Sequence, residues 1–293
     1  MPRGSGPQRP GLPGEITTIR SPRVKAARQL ARRAFRDRSR TFLAEGPQAV
    51  REALELPGTL LELFVTAAAA SRHADLTGRA GELGIPVHAV SGEVMAELAQ
   101  TVTPQGLLAV CRFLDVSLAD LLATRPRLVA VLASVRDPGN AGTVLRTADA
   151  AGAQGVIFTA ASVDPYNSKC VRSSAGSLFH LPVVTGADPA AAAAGLRAAG
   201  LQLLAADGSA ASADGGRVLD PAAAAPWLAG PTAWLFGNEA WGLPAEVLAL
   251  ADAPVAVPIY GRAESLNLAA AAAVCLYASA AAQRGGSPLV SGA

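Results

Sequence analysis

The sequence predicts an α/β protein of two units, on three observations. In the second half, short continuous apolar runs alternate with helical stretches, the pattern of a mostly parallel sheet covered by helices on both faces. The first part alternates in the same way with shorter elements. The length of 293 residues fits two domains at roughly 100–200 residues each, and a 51% apolar content, much of it alanine, supplies material for two cores.

Each element has a local reason. Residues 1–20 are rich in Pro, Gly and Arg and are expected to form a disordered basic tail. Ser21 then offers an N-cap and Pro22 a first helical residue, and 24–38 reads as one basic amphipathic helix. Strands are expected at 41–44, 61–66, 86–90 and 107–113. Helices are expected at 47–56, at 67–83 with a break near Gly78, and from a Ser91 cap to Gln100. These form a unit over 21–115, joined by a linker at 116–127 to a second unit over 128–284, with a tail at 285–293. In the second unit strands are expected at 128–135, 156–159, 201–206, 233–236 and 255–257, and helices at 142–151, 188–199 and 266–283. The Gly/Ala/Pro-rich stretch 207–231 reads as a long surface connection.

Composition excludes several functions. Three widely spaced cysteines, Cys111, Cys170 and Cys275, with no CxxC argue against a disulfide scaffold or a cysteine zinc site. His73, His88 and His180 lack ligand spacing, so no metal is expected. The N-terminus carries no apolar secretory core, and the longest apolar run, 266–282, is mostly alanine interrupted by Asn267 and Ser279. No membrane span and a cytoplasmic location are therefore expected. The net charge of +2 conceals an asymmetry: residues 1–40 hold eleven Arg and Lys against Glu15 and Asp37, a local +9 in a chain otherwise at −7. Arginine greatly outnumbers lysine, and its planar fork suits phosphate, so this segment points to nucleic acid, with Arg23, Lys25, Arg28 and Arg32 as contacts. A solvated helix face is the plainer alternative.

Three clusters follow expected strands, where α/β proteins bind ligands. The first runs from Asp137 through Asn140 and Gly142 to Arg146; its glycines, Gly139 and Gly142, are out of phase for GxGxxG, which counts against an ordinary dinucleotide fold. Alone, Asn140 reads equally as a helix cap and Arg146 as a surface residue. The second, Gly237-Asn238-Glu239 to Gly242, exposes a carboxylate between two glycines, or is a plain turn. The third is Val257-Pro258-Ile259 to Ser265-Leu266-Asn267-Leu268, where Ser265 reads as a helix cap and Asn267 as a poor residue for a first turn. A fourth segment places Lys169 and Arg172 three apart, on one face if helical, as phosphate contacts or an exposed basic helix.

These clusters resemble the SpoU-type RNA 2′-O-ribose methyltransferases of the SPOUT superfamily. Asn140 to Arg146 is similar to the family's Asn-x-Gly-x-x-x-Arg motif, Gly237-Asn238-Glu239 to its second and Pro258 to Asn267 to its third. Residues 18–113, with Arg40 to Gly46, resemble the family's L30e/L7Ae-like α/β substrate-binding domain. Departures are small: Ala240 stands where glycine is common, and Ala269 and its neighbours replace a more varied stretch.

The resemblance implies a trefoil-knotted methyltransferase domain, S-adenosyl-L-methionine as cofactor, and a homodimer with sites completed across its interface. It implies that Gly237, Asn238, Val257, Ile259, Leu266 and Leu268 bind the cofactor. Arg146 is then the residue at the ribose hydroxyl, with Asn140, Glu239, Ser265 and Asn267 orienting it and the ribose. The fused RNA-binding unit points to 23S ribosomal RNA as substrate, with transfer RNA as the alternative, and a non-catalytic RNA-binding or assembly protein of the same fold as the competing class.

Overall fold

The computed structural model describes residues 14–208, 216–219 and 226–285. The chain divides into two units, Met1–Phe113 and Leu114–Ala293.

The first unit is built on four strands, β1 (Thr41–Glu45), β2 (Leu60–Val65), β3 (Val87–Ala89) and β4 (Leu107–Arg112), in the order β1-β4-β2-β3. β4 runs antiparallel to β1 and β2, and β3 is parallel to β2. Alternate strand residues point to opposite faces, so the apolar runs bury both. Leu43, Phe64, Leu108 and Val110 meet Val24 and Ala27 of α1 (Pro22–Gln29) and Val94, Met95 and Leu98 of α6 (Gly92–Leu98). α3 (Pro47–Glu55) lies against β1, β2 and β4 and packs on α5 (Ala74–Glu82).

Three local expectations change. The single helix over 24–38 is two, α1 and α2 (Arg33–Ser39). Arg36 is only 3% exposed; its Nη1 donates to the carbonyls of Leu30 and Ala31 at 2.8 and 3.0 Å, which satisfies acceptors where α1 ends. The break in 67–83 falls at His73, between α4 (Ala67–Arg72) and α5, and Gly78 is inside α5. Of the tail expected over 1–20, residues 1–13 lie outside the described residues, while Ile16 pairs with Val90, donating to Ala89 and accepting from Ser91.

The second unit holds β5 (Leu128–Leu132), β6 (Gly155–Thr159), β7 (Val183–Ala187), β8 (Gln202–Ala206), β9 (Arg217–Val218), β10 (Thr232–Phe236) and β11 (Ala253–Ala256). Their order is β7-β6-β5-β10-β8-β11-β9, and every pairing is parallel. Every residue of β5, β6 and β10 is buried, as the continuous apolar runs require. On one face Val129, Val131, Leu203 and Leu235 pack with Leu121 of α7 (Leu118–Ala123) and Leu196 of α10 (Pro189–Ala198). α8 (Pro138–Ala151) and α12 (Leu268–Gln283) pack on each other and against β5. Buried Trp234 donates its indole N–H to Ser279 of α12 at 2.8 Å.

The stretch expected as a linker at 116–127 carries α7, started by a Ser117–Asp120 capping box and held by buried Leu121. β7 and β9 were not expected; one contains an exposed glycine and the other is only two residues long, so neither has the long apolar run that marked the rest. Among the described residues no helix is long and apolar enough to cross a membrane.

Candidate active site

Three loops leave the carboxyl ends of β5, β10 and β11, and β10 and β8 lie side by side between the two outer members of this set. The parallel sheet therefore gathers at one edge the loop after β5, a strand that ends at Leu132, and the loops after β10 and β11, strands that end at Phe236 and Ala256.

The loop after β10 is tightly made. Asn238 and Gly242 exchange backbone hydrogen bonds at 2.8 and 2.9 Å, and Gly242 takes a φ of +72°. A Cβ on Gly237 would collide with the returning Gly242–Leu243 backbone, so glycine is required there. Asn238 is buried; its Nδ2 donates to the Ser134 carbonyl at 3.2 Å and its Oδ1 accepts from the Ala240 amide at 2.8 Å. Its side chain thus ties the loop after β10 to the one after β5.

Asn140 joins all three loops. Its Nδ2 donates to Glu239 Oε1 at 2.8 Å, and its Oδ1 accepts from Asn267 Nδ2 at 3.1 Å. Asn140 is free for this because Asp137 is the cap of α8, accepting from the Asn140 amide at 2.8 Å. Likewise Asn267, not Ser265, caps α12, its Oδ1 accepting from the Ala269 amide at 2.9 Å. The expected Ser265 cap is replaced because α12 starts two residues later than its apolar run.

Arg146 does not join this group. Six residues after Asn140 it sits roughly 240° round α8 and about 9 Å along its axis. It is exposed and makes no hydrogen bond or ion pair among the described residues. Ser265 is exposed beside the cavity described next, also without such a partner. Lys169 lies in the first turn of α9 (Ser168–Ser173) and its Nζ donates to Asp137 Oδ2 at 2.7 Å. That ammonium, assisted by the Asn140 and Gly139 amides and opposed by partial burial, holds the Asp137 carboxyl below its ordinary value. Arg172 is half-buried on the same helix.

A cavity of about 500 Å3 opens between the loops after β10 and β11 and the end of β8. Gly237, Asn238, Val257, Ile259, Leu266 and Leu268 all line it. So do three carboxylates, Asp207, Glu239 and Glu264, and no Lys, Arg or His does among the described residues. The volume suits a small-molecule ligand. A wall whose charged groups among the described residues are all acidic suits a cationic ligand and repels a phosphorylated dinucleotide. S-adenosylmethionine, a nucleoside carrying a sulfonium and an ammonium, fits that donor set.

Sequence reasoning missed Asp207 and Glu264. Asp207 follows β8 directly, at the same strand-end position as the three clusters, but was absorbed into the connection expected over 207–231; 209–215 and 220–225 of that stretch lie outside the described residues.

In the first unit, α1 presents Arg23, Lys25 and Arg28 outward, and Arg32 precedes α2. Arg23 lies 3.7 Å from Glu62 and 3.1 Å from the His88 ring, and Arg28 pairs with Glu97 at 2.9 Å. Lys25 and Arg32 make no ion pair among the described residues.

The fold and site together define a class: an α/β enzyme domain that holds a cationic nucleoside at the carboxyl edge of a parallel sheet, in a chain whose other unit has a basic edge. Residues 127–277 match the SpoU rRNA methylase family and residues 21–109 the MRM3-like substrate-binding domain. The chain is 35% identical over 269 residues to the 23S rRNA (guanosine(2553)-2′-O)-methyltransferase RlmP of Bacillus subtilis, covering 90% of this chain and 98% of that protein. An AdoMet-bound rRNA methyltransferase from Sinorhizobium meliloti superposes with a TM-score of 0.77 at 32% identity, over 90% of this chain and 96% of that one. The SpoU methyltransferase AviRb of Streptomyces viridochromogenes, in complex with AdoMet, gives 0.76 at 28% identity, over 91% and 100% of the two chains. The protein belongs to the SpoU rRNA methylase family.

Proposed function

We propose that this chain transfers a methyl group from S-adenosylmethionine to a ribose 2′-hydroxyl of 23S ribosomal RNA. The observation that carries this reading is the Asn140 amide, which links Glu239 and Asn267 beside an acidic-walled cavity and so draws the three motif loops into one site. When bound, the cofactor supplies an electrophilic methyl on a positively charged sulfur that departs as a neutral thioether, so no acid is needed at the leaving group.

The chain's own residues do the rest. The loops at Gly237–Asn238, Val257–Ile259 and Leu266–Leu268 hold the nucleoside, with their apolar side chains excluding water. Glu239, held by Asn140, and Ser265 lie at the cavity wall, where they orient the ribose, and Asn267 fixes Asn140 from the other side. Arg146 binds the phosphate next to the target ribose and stabilises the negative charge that grows on the 2′-oxygen as the hydroxyl proton passes to solvent water; a guanidinium, which carries donors only, acts here as electrostatic partner rather than base.

Arg146 stands apart from the Asn140 group within one chain, which supports a homodimer in which a second copy completes the site. Tyr260, 84% exposed, and Tyr277 of α12 support such a covered surface. The reading includes a trefoil knot in 128–284, supported by the insertion of β10 between β5 and β8, a cytoplasmic location, and delivery of RNA by 21–115 through Arg23, Lys25, Arg28 and Arg32, with Lys169 and Arg172 as further phosphate contacts.

The test is incubation of purified protein with radiolabelled S-adenosylmethionine and unmodified ribosomal and transfer RNA. Label in 23S RNA that nuclease digestion maps to a 2′-O-methylated nucleotide is the expected result. Label in transfer RNA alone moves the substrate to that class. Cofactor binding with no label in naked RNA or in partly assembled ribosomal subunits rejects the enzyme in favour of an RNA-binding protein.

A further inference from the structure

We propose that Trp241 is a stacking platform for an unstacked base of the RNA, with Arg136 gripping the adjoining phosphate. This rests on the RNA-methyltransferase reading for the class of its partner.

Trp241 is 59% exposed, whereas Trp234 is fully buried and the Trp227 ring is covered by Arg217 at 4.9 Å. An exposed indole forgoes one of the largest burial gains a side chain offers. Its position is nonetheless fixed. It lies inside the loop closed by Asn238 and Gly242, and that loop is tied to the segment after β5 through Asn238 to Ser134 and Glu239 to Asn140. Arg136 of that segment adds a third tie, its guanidinium 5.9 Å from the indole centroid.

The orientation matters. Gly237 to Ala240 and Gly242 line the cavity, but Trp241 does not, so its ring stands outside the cofactor site, two residues from Glu239. Charge divides the same way. The cavity wall is acidic, while exposed Arg136 and Arg262 stand on the loops outside it. A rigid exposed ring with the Arg136 guanidinium beside it matches a ligand of flat bases joined by phosphates, which is single-stranded RNA. The target ribose must be brought to Glu239, and a base stacked on Trp241 would set its register.

Wild type, Trp241→Ala and Trp241→Phe are compared in full-length protein. With the RNA that accepts label, Trp241→Ala should raise KM for RNA about 10-fold or more. KM should rise more than kcat falls, with the S-adenosylmethionine Kd unchanged, and Trp241→Phe should restore most of the loss. A second readout needs no turnover: single-stranded oligoadenylate should quench the fluorescence of wild type and not that of Trp241→Phe. If no RNA is methylated but this quenching occurs, the platform stands and the transferase reading fails. Methylation with an unchanged RNA KM in Trp241→Ala, or equal quenching in wild type and Trp241→Phe, overturns the platform. So does dissociation of Trp241→Ala into a smaller species on sedimentation, which would assign the indole to a contact between copies.

Discussion

Asn140 carries no charge, yet it holds the site together, because one amide donates to Glu239 while accepting from Asn267. Replacing it with alanine frees both partners and leaves the cap of α8 in place, since that cap is Asp137. Asn140→Ala should lower turnover by about 100-fold, the scale of losing alignment at a reacting centre, with a melting temperature near that of wild type. Asn140→Asp should be worse, because it sets a second carboxylate 2.8 Å from Glu239. Steady-state kinetics and thermal melts of both variants check this. Arg146→Ala should lose several powers of ten in kcat, with cofactor affinity by calorimetry nearly unchanged; equal activity would sink its assigned role. The residue types at these positions were legible in the sequence. Their roles as caps were not: Asn267 looked like an interior residue and Ser265 like the cap, because capping depends on where the helix begins, and tertiary contacts set that point.

At the scale of elements, the packing of α8 on α9 depends on Gly142. An added Cβ there would collide with the Cys170 carbonyl and the Ser173 hydroxyl. Gly142→Ala should therefore destabilise the fold by about 1–3 kcal/mol, read as a lowered denaturation midpoint at unchanged slope. The same two helices are joined by Asp137 and Lys169, whose side chains are 42% and 55% exposed, so the pair is worth only about 0.5 kcal/mol. Its sign with pH follows from the lowered Asp137 value. The contribution is complete above the ordinary carboxylate value of 3.8 and is lost as pH falls through the lower folded-state value. The stability gap between wild type and Lys169→Met should accordingly be present at neutral pH and close in acid. Strand positions were legible wherever apolar runs were continuous, as in β5, β6 and β10. The division of 24–38 into α1 and α2 was not, since it turns on Arg36 folding inward onto backbone carbonyls, and a charge pattern alone places arginine on the solvent face.

For the whole molecule, charge sets the behaviour toward RNA. With a local +9 over residues 1–40, binding should weaken steeply with salt, and Lys25→Ala should reduce the slope of log K against log salt by about 1 while leaving sequence preference intact. Filter binding across a salt series measures both. By itself, the sequence determined the parallel α/β class, the three motif loops, the basic segment and the absence of a dinucleotide glycine turn, because each is a matter of local pattern or composition. Only the tertiary structure decided that β10 lies between β5 and β8, that Asn140 meets both Glu239 and Asn267, and that Asp207 and Glu264 make the cavity acidic. Those facts depend on strand order, which joins residues as far as 127 positions apart and leaves no periodic trace along the chain.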